Sequence, residues 1–372
     1  MNKTIAIIIN TTWNIYNFRS GLIQALQKEG YNVIAISPKD EYAKKLEEIG
    51  CKHFHIDIDN KGANPIKDMK LVLDYYKLFK QNNIDLVLGY TIKPNIYGSF
   101  ASKLANIPII TNISGLGTVF LNDNFSSKVA KLLYKLALKI PKKVFFQNRD
   151  DLELFVKLNL VNKNKTRIIP GSGIDTNKFF PTSINKKDGK TKFLLIARLI
   201  KDKGVFEYIE AAKIIKEKFP NTEFAILGSF YLQNPTALTK EELKKWEEKQ
   251  IIKYLGVSDN VKDIISQYDC IVLPSYREGL SRVLLEAASM AKPIITTNVP
   301  GCRDVVEDGV NGFLCEVKNS KSLAGAIEKF LTLSDKKREL MGQKGREKVI
   351  NEFDEKVVID IYLEEIKKIF NL

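Results

Sequence analysis

Short apolar runs rich in β-branched residues alternate with segments of helical periodicity through most of this 372-residue chain. Such alternation is typical of βαβ units, which build a parallel sheet with helices on both faces. Strands are predicted at 4–10, 31–37, 53–58, 85–89, 108–113, 144–147, 167–169, 193–197, 223–227, 251–255, 271–273, 293–297 and 313–317. The pattern predicts an α/β protein with doubly wound parallel sheets.

The strand and helix pattern restarts after a polar, turn-rich segment at 181–189. A chain of this length can bury two cores. We predict an N-terminal domain over residues 1–185, a C-terminal domain over 186–350 and a terminal helical segment over 351–372. Helical patterns occur at 18–28, 41–49, 66–80, 94–105, 127–140, 150–158, 335–349 and 355–370.

Positive charge is concentrated in the first half of the chain. The formal net charge is +14, and residues 1–186 carry 27 Lys and Arg against 15 Asp and Glu, so +12 of it. An uneven basic balance of this kind indicates an acidic partner for the N-terminal half.

Neither export nor a membrane span is predicted. The apolar run 5–9 is too short for a signal peptide, and no run approaches the roughly 20 residues that cross a bilayer. The four cysteines show no CxxC spacing and lie mostly in apolar strand patterns, which indicates buried thiols rather than a metal site or disulfides. A cytosolic protein is the expectation.

The stretch 269–291 carries the strongest chemical signal. Its apolar run 270–273 is typical of a buried strand that Pro274 ends, and Ser281 is a good N-cap for a helix running to about Met290. Such a unit places a helix N-terminus just outside the carboxyl end of a strand, where anionic ligands bind in open α/β sheets.

Two carboxylates belong to this unit. Glu278 lies in the loop and Glu286 one turn into the helix, so both can face one ligand, for which sugar hydroxyls are natural partners. Gly279 lets the backbone approach that ligand closely. Two Glu residues eight positions apart are by themselves a weak signal, because a solvated loop acid and a helix-face acid explain them equally well.

The segment 197–204 leaves the first strand of the second domain. Arg198 and Lys203 at the carboxyl end of this strand, before a helix opened by Gly204, can converge on a diphosphate. Cations aimed at developing charge can assist bond cleavage without a metal ion. The single Asp-x-Asp, Asp57 to Asp59, is interpreted as a strand end rather than a metal site.

The motif Pro-Ser-Tyr-x-Glu-Gly-Leu-Ser-x-x-x-x-Glu-Ala at 274–287 resembles the C-terminal half of retaining family 4 glycosyltransferases, as do 292–301 and 308–314. The resemblance covers nearly the whole chain and is sharpest in residues 168–317. It implies the GT-B fold, with two Rossmann-like domains facing across a cleft. It also implies nucleotide-sugar on the C-terminal domain, acceptor on the N-terminal domain, and a last helix that crosses back to the first domain.

The resemblance implies roles for individual residues. The catalytic candidates are Glu278, Arg198 and Lys203, with the two cations on the donor diphosphate. The remaining donor-binding candidates are Gly279, Leu280 and Ser281 at the sugar, Glu286 at the ribose, and Gly173. The donor is expected to be a UDP-sugar, with an N-acetylhexosamine as a candidate, and no metal or other cofactor is expected. The proposed family mechanism lets the leaving phosphate accept the proton of the acceptor hydroxyl.

The N-terminal domain departs from the family pattern. Segment 10–19 contains no glycine where many members carry a glycine-rich turn, and 90–95 occupies the position of a frequent histidine. His53 and His55 alternate along a strand and are interpreted as structural. Segments 91–98 and 112–117 resemble a subgroup that builds bacterial surface glycans on polyprenyl diphosphates. The acceptor-binding candidates are Thr11, Tyr16, Arg19, Thr91, Lys93, Gly115, Gly117, Lys131 and Lys135.

The predicted helix at 127–143 favours a membrane partner. Its basic residues recur at three- and four-residue steps beside apolar ones, which suits an anionic membrane surface. The alternative is an ordinary amphipathic helix with its leucines in the core. The basic set is Lys128, Lys131, Lys135, Lys139 and Lys142. We therefore expect a peripheral protein on the inner face of the plasma membrane, acting on a polyprenyl-diphosphate-linked acceptor.

Two other functions fit parts of the sequence. A sugar-nucleotide epimerase shares the two-domain fold but needs carboxylates and histidines placed for proton transfer. A basic nucleic-acid-binding protein would explain the charge, but no aromatics interleave with the lysines at stacking spacing, and no zinc or helix-turn-helix signature is present. A retaining glycosyltransferase is the preferred interpretation.

Overall fold

The computed structural model describes residues 3–59, 64–116, 125–182, 189–231, 234 and 236–371. The chain forms two compact units. The first contains Met1–Gly173 with Glu355–Leu372, and the second contains Ile174–Asp354. These divisions differ from the predicted ones at 185 and 350, because the segment after residue 173 already packs within the second unit, where the Phe179 carbonyl accepts from Ser289 Oγ at 2.5 Å.

The first unit is a seven-stranded parallel sheet in the order β3-β2-β1-β4-β5-β6-β7. Its elements are β1 (Thr4–Ile8), α1 (Thr12–Lys28), β2 (Asn32–Ser37), α2 (Tyr42–Glu48), β3 (Lys52–His55), α3 (Pro65–Gln81), β4 (Leu86–Tyr90), α4 (Ile92–Ala105), β5 (Ile109–Ile113), α5 (Phe125–Ala137), β6 (Lys143–Phe146), α6 (Arg149–Lys157) and β7 (Thr166–Ile168).

The second unit is a six-stranded parallel sheet in the order β10-β9-β8-β11-β12-β13. Its elements are β8 (Thr191–Ile196), α7 (Val205–Lys218), β9 (Thr222–Leu227), α8 (Lys240–Glu248), β10 (Lys253–Tyr254), α9 (Val261–Ser266), β11 (Cys270–Leu273), α10 (Arg282–Ser289), β12 (Ile294–Thr297), β13 (Gly312–Cys315), α11 (Ser320–Leu331) and α12 (Asp335–Glu352). The last helix, α13 (Glu355–Phe370), belongs to the first unit.

Both faces of each sheet are covered by helices, which explains why central strands such as β1, β4, β5 and β11 are buried along their whole length. In the first unit, α3 to α6 pack on one face, while α1, α2 and α13 pack on the other. In the second unit, α7 and α11 pack in the core on one face of the sheet, and α10 packs in the core on the other face. All the strands predicted from the sequence are present, to within three residues at each end. The doubly wound α/β prediction is confirmed.

Each sheet reverses its strand order at one point. In the first unit β2 and β4 flank β1, and in the second unit β9 and β11 flank β8. The crevice outside the carboxyl ends of the strands at such a reversal is where open α/β sheets bind ligands. The loops that follow β8 and β11 are therefore the expected ligand loops of the second unit.

Two helix boundaries differ from the predictions. Helix α1 begins at Thr12 rather than residue 18, because Ile15, Leu22 and Leu26 form one buried stripe and Thr11 caps its first turn. Helix α5 ends at Ala137, so Lys139 and Lys142 follow it instead of continuing its basic face. Pro141 disfavours helical backbone at the residue before it and cannot donate a helical hydrogen bond.

All four cysteines are free and buried, as predicted. Burial raises the pKa of the Cys51 thiol to about 12. None of the described helices combines the length and apolar content that a bilayer crossing requires.

Gly204 offers a direct test of how the second unit is held together. Its φ is +71°, and a Cβ there would lie 2.0 Å from the Pro274 carbonyl oxygen. Gly309 has φ +77° but open space around it. We predict that Gly204→Ala lowers the free energy of unfolding by more than about 2 kcal/mol, whereas Gly309→Ala costs about 1 kcal/mol from backbone strain alone. Urea unfolding of both variants measures the difference, and equal losses would contradict the close contact.

Candidate active site

The predicted catalytic residues come from the two loops at the strand reversal of the second sheet. Strands β8 and β11 are hydrogen-bonded neighbours, with Phe193 opposite Cys270 and Leu194 opposite Ile271. The loop after β8 leads to α7 on one face, and the loop after β11 leads to α10 on the other. The carboxyl ends of β8 and β11 lie at one edge of the sheet, so residues 197–204 and 274–281 form a single cluster.

Backbone contacts fix these two loops to one another. The Tyr276 amide donates to the Asp202 carbonyl at 2.8 Å, and Ser275 Oγ lies 3.2 Å from the same carbonyl oxygen. Asp202 lies in a 3-10 turn, Lys201–Lys203, that ends at Gly204. The turn is thereby held directly over the end of β11.

Lys203 and Glu278 form an ion pair at the centre of the cluster. Lys203 Nζ donates to Glu278 Oε1, and Ser275 Oγ donates to the same oxygen at 2.8 Å. The side chains are 18% and 15% exposed, so the pair is partly withdrawn from solvent. The fold therefore brings together a cation and a carboxylate that the sequence predicted to share one substrate. Ser275 was not predicted, although its place in the motif was the available signal.

The backbone that follows Glu278 is held by the next loop of the sheet. The Glu278 amide donates to the Pro300 carbonyl at 3.1 Å, and the Ser281 amide donates to the Gly301 carbonyl at 3.0 Å. Gly301 has φ +77°, and a Cβ there would lie 2.4 Å from the Glu278 carbonyl oxygen. The segment containing Gly279 and Leu280 is thus fixed from both ends.

Ser281 occupies the N-cap position of α10, as predicted, but its side chain makes no cap hydrogen bond. Glu286 is buried in the second turn of that helix, where Arg282 Nε donates to its Oε1 at 3.1 Å. Burial raises the pKa of the Glu286 carboxyl, while Arg282 and Lys178 oppose that rise. A buried carboxylate close to a helix N-terminus is therefore available beside the loop.

Arg198 lies at the carboxyl end of β8 but is not part of the Lys203–Glu278 contact. Its side chain is exposed, and the guanidinium carbon lies 5.3 Å from the centre of the Tyr231 ring. Tyr231 was not predicted as a neighbour of Arg198, since it belongs to a loop without a motif. The neighbouring Lys201 is also exposed, as expected of a solvated cation.

Gly173 belongs to the first unit and has a packing role there. Its φ is +69°, and a Cβ would lie 2.4 Å from the Cα of Glu355, the first residue of α13. A glycine is therefore required for the close approach of this helix. Its predicted part in donor binding stays a prediction.

The acceptor candidates near β1 lie on a helix, which corrects their assignment to a loop. Thr11 is the N-cap of α1 and accepts from the Asn14 amide at 3.2 Å. Tyr16 packs against Tyr42 of α2, with ring centres 5.7 Å apart. Thr11 and Tyr16 thus have structural contacts of their own.

Arg19 is buried at the carboxyl edge of the first sheet. Its guanidinium carbon lies 3.8 Å from the Tyr90 ring centre, and its Nη1 donates to the Asn14 carbonyl at 3.4 Å. Its Nε has no hydrogen-bond partner among the residues that the structure describes. With Asn112 and Tyr362, it lines a narrow pocket that has room for about one water molecule.

Thr91 and Lys93 follow β4 at the same edge. Thr91 has φ +62°, an unusual conformation for a β-branched residue, and its Oγ1 donates to the Tyr90 carbonyl at 2.6 Å. Lys93 Nζ lies 2.7 Å from Asp68 Oδ1, in a pair that is 16% and 9% exposed. The Lys93 ammonium is therefore already paired with a carboxylate of α3.

The remaining candidates differ in how far the structure describes them. Gly115 has φ +134°, whereas Gly117 lies outside the described residues. Lys131 is half-buried and Lys135 is exposed on α5. No group of three His, Cys, Asp or Glu side chains suited to a metal ion occurs in the described part of the chain.

His53 is held in a hydroxyl cluster. Its Nε2 lies 3.2 Å from Thr12 Oγ1 and 3.1 Å from Ser37 Oγ. Burial lowers its pKa, with partial opposition from its hydrogen bond to Ser37 and from Asp40. These contacts join β3, β2 and α1, which agrees with the structural interpretation.

Solved structures share the fold of these two Rossmann-like units, which is the GT-B fold of glycosyltransferases. A glycosyltransferase from Rickettsia africae superposes with a TM-score of 0.81 at 20% identity over 99% of both chains. The Anabaena protein HepE, in complex with UDP and glucose, gives a TM-score of 0.77 at 18% identity over 98% of this chain and 99% of that one.

Sequence comparisons identify the family. A family model described as "Glycosyl transferases group 1" matches residues 176–348, and one described as "Glycosyl transferase 4-like" matches residues 4–148. The chain is 30% identical over 366 residues, 94% of each protein, to the N,N'-diacetylbacillosaminyl-diphospho-undecaprenol alpha-1,3-N-acetylgalactosaminyltransferase of Campylobacter jejuni. The chain belongs to the group 1, family 4-like glycosyltransferases.

A second relative is the UDP-Gal:alpha-D-GlcNAc-diphosphoundecaprenol alpha-1,3-galactosyltransferase of Escherichia coli. It is 30% identical over 306 residues, which are 78% of this chain and 76% of the relative. The glycosyltransferase prediction is confirmed, and the two family models cover both of the units described above.

The raised pKa of Glu286 predicts a pH dependence of stability. The folded state keeps a proton on this carboxyl to a higher pH than the unfolded chain does. In the unfolded chain the carboxyl has its ordinary pKa of 4.5. Across that interval the unfolded state binds fewer protons, so stability falls as pH rises. Glu286→Gln lacks this titration. We expect wild type to lose stability relative to Glu286→Gln from about pH 4.5 upward in urea unfolding; a constant difference would contradict the assignment.

Proposed function

We propose that the chain is a retaining, metal-independent glycosyltransferase that moves a sugar from a UDP-sugar to a polyprenyl-diphosphate-linked glycan. The observation that carries the proposal is the Lys203–Glu278 pair at the strand reversal of the second sheet. A nucleotide-sugar presents both a diphosphate and sugar hydroxyls, for which this cation and this carboxylate are the complementary groups.

The donor roles follow from the chemistry of each group. Lys203 and Arg198 neutralise the diphosphate, on which negative charge grows as the glycosyl bond breaks. Glu278 and the backbone of Gly279 to Ser281 bind the sugar. The buried Glu286 carboxylate accepts hydrogen bonds from ribose hydroxyls. Lys203 is already held by Glu278, so little reorganisation is required when the charge develops.

Retention follows if the acceptor attacks from the face that the diphosphate leaves. The acceptor oxygen bonds to the anomeric carbon, the bond from that carbon to the phosphate oxygen breaks, and this phosphate oxygen takes the hydroxyl proton. No protein base is then needed. The only two histidines of the chain, His53 and His55, lie on β3, three strands from β4, which supports a substrate-supplied base.

The acceptor assignment is supported by the relatives and by charge. Both relatives named above act, by their names, on sugars linked to diphospho-undecaprenol. The first 186 residues of this chain carry a net +12, which suits an anionic lipid diphosphate. Arg19 is the candidate for this group because it lines a narrow pocket and its buried Nε is unpaired among the described residues.

Helix α5 supports docking to a membrane surface. Leu132 and Leu136 are 58% and 46% exposed, so they are not accounted for by the core, whereas Tyr134 and Leu138 are buried. Lys128 and Lys135 are exposed on the same helix. Exposed leucines beside lysines fit an anionic bilayer better than an ordinary core helix.

Helix α3 adds a second exposed apolar stripe. The periodicity of its sequence alone does not distinguish these exposed residues from those that face the core. Ile66, Met69 and Leu73 recur at helical spacing and are 82%, 63% and 46% exposed. Lys67 and Lys70 are exposed between them. Helices α3 and α5 both pack against α4 on one face of the first sheet. We propose this face as the surface that places the protein on the cytoplasmic side of the plasma membrane.

The function is tested by transfer of labelled sugar from UDP- and GDP-sugars, with excess EDTA, to butanol-extractable polyprenyl-diphosphate-linked acceptors. We expect label in the lipid phase with a UDP-sugar. Lys203→Ala and Glu278→Gln should each lower turnover by about 100-fold or more. Lys201→Ala, a change in the same turn, is the matched control and should leave turnover unchanged.

The outcomes separate the parts of this proposal. Donor hydrolysis without lipid labelling would remove the lipid acceptors but keep the donor site. Loss of activity in the presence of EDTA would show that the enzyme requires a metal ion. Wild-type rates from Lys203→Ala or Glu278→Gln would overturn the site. Proton NMR of the anomeric linkage in the product decides between retention and inversion.

Membrane docking predicts a separate loss. Replacing Lys131 and Lys135 with Glu should weaken binding to vesicles rich in phosphatidylglycerol at low salt by at least about 30-fold, since each lysine contributes roughly 1 kcal/mol. Replacing Lys336 and Lys337 on α12 with Glu makes the same change of charge in the second unit and should leave binding unchanged. Co-sedimentation that is equal for both pairs would contradict a specific docking face.

A further inference from the structure

Tyr276 joins the two loops of the candidate donor site through its side chain. It lies two residues before Glu278, and its hydroxyl donates to Glu207 Oε1 on the first turn of α7 at 2.6 Å. Its amide donates to the Asp202 carbonyl at 2.8 Å, one residue before Lys203. One residue of the β11 loop is therefore hydrogen-bonded to the turn that carries Lys203 and to the first turn of α7, so its two partners, Asp202 and Glu207, flank Lys203 in sequence.

Glu207 is an unusual partner, because it is an acid close to a site proposed for a diphosphate. Its Oε2 is buried and has no hydrogen-bond partner among the described residues. The position in the first turn of a helix favours a carboxylate electrostatically. The Tyr276 hydroxyl is the group that donates to it, so loss of this donor would leave the carboxylate buried without compensation.

The environment keeps the Tyr276 hydroxyl protonated. Burial raises its pKa, and both the hydrogen bond to Glu207 and the negative charge of that carboxylate raise it further. Lys318 Nζ lies 5.0 Å from the ring centre. The phenol therefore acts as a fixed donor at neutral pH rather than as a titrating group.

We propose that Tyr276 and Glu207 are positioning residues that hold Lys203 and Glu278 in register for the donor. This inference rests on the proposed function, and neither residue is assigned a contact with substrate. The two loops come from strands on either side of the sheet reversal, and their register decides where the ammonium and the carboxylate lie. Displacement of a catalytic group by about 1 Å can cost about 100-fold in rate.

The test is Tyr276→Phe, assayed for kcat and donor KM under the transfer conditions above. We expect kcat to fall by about 10-fold or more, with donor KM changed by less than about 3-fold, because misplaced charge affects the transition state more than ground-state binding. Glu207→Gln keeps an oxygen acceptor for the phenol and should retain kcat within about 3-fold of wild type.

Tyr208→Phe is the matched control. Its hydroxyl donates to the Phe193 and Ala225 carbonyls at 3.0 Å in the core of the same unit, away from both loops. The control should lower the Tm without a selective loss of kcat. Hydrogen exchange provides a readout that does not need activity: Tyr276→Phe should speed exchange of backbone amides in 198–204 and 274–281, and Tyr208→Phe should not.

The results distinguish failure of the inference from failure of the function. Wild-type kcat together with unchanged exchange in Tyr276→Phe would overturn the positioning role while leaving the glycosyltransferase intact. Loss of activity in Glu207→Gln as large as in Tyr276→Phe would also overturn it, since the charge rather than the hydrogen bond would then matter. If wild type uses no nucleotide-sugar, the proposed function fails. The hydrogen-exchange data alone then test whether Tyr276 holds the two loops in register.

Discussion

The approach of Gly204 to the Pro274 carbonyl is the constraint on which the second unit's site depends. Strands β8 and β11 are neighbours, but the chain leaves them toward opposite faces of the sheet. Only a residue without a Cβ lets the two exits touch, because any side chain at 204 would overlap the carbonyl oxygen. This contact places the Lys203 turn over the end of β11, where Glu278 is within reach.

Gly301 extends the same constraint on the other side of the loop. A Cβ at Gly301 would lie 2.4 Å from the Glu278 carbonyl oxygen, against 2.0 Å for Gly204 and Pro274, so the loop after β11 is confined by two glycines from two neighbouring loops. The hydroxyl of Ser275 donates to the same Glu278 oxygen that Lys203 contacts. These close approaches leave the backbone of the two loops little room, and they bring Lys203 and Glu278 into contact.

The sequence was sufficient for the sheets and for the centre of the site. Strand and helix differ in the period of their apolar residues, so the alternation along the chain specifies parallel sheets. Lys203, Glu278 and Glu286 were predictable because each lies at a fixed distance from a strand end in a dense motif. Helix α1 was only partly predicted. The absence of glycine in 10–19 was interpreted as a departure from the glycine-rich turn of the family, although a helix begins in this segment.

Other features depend on distances that a single sequence does not contain. Glu207 and Tyr276 are 69 residues apart, and nothing in the spacing of α7 marks Glu207 as the partner of a loop tyrosine. The stacking of Arg198 on Tyr231 likewise needs the fold of a loop without a motif. Exposure of Ile66 and Met69 requires knowledge of which face of α3 meets the sheet, because both faces of that helix carry apolar residues.

Helix α13 has a consequence for the order in which the protein is made. Val358, Tyr362 and Ile366 are buried with Tyr90 and Phe145 in the core of the first unit, yet they are synthesised after the whole second unit. During translation, the apolar surface of the first sheet that these residues cover stays open until the ribosome has passed residue 366. The second unit can complete its core first, and the nascent first unit is the part that needs protection from aggregation.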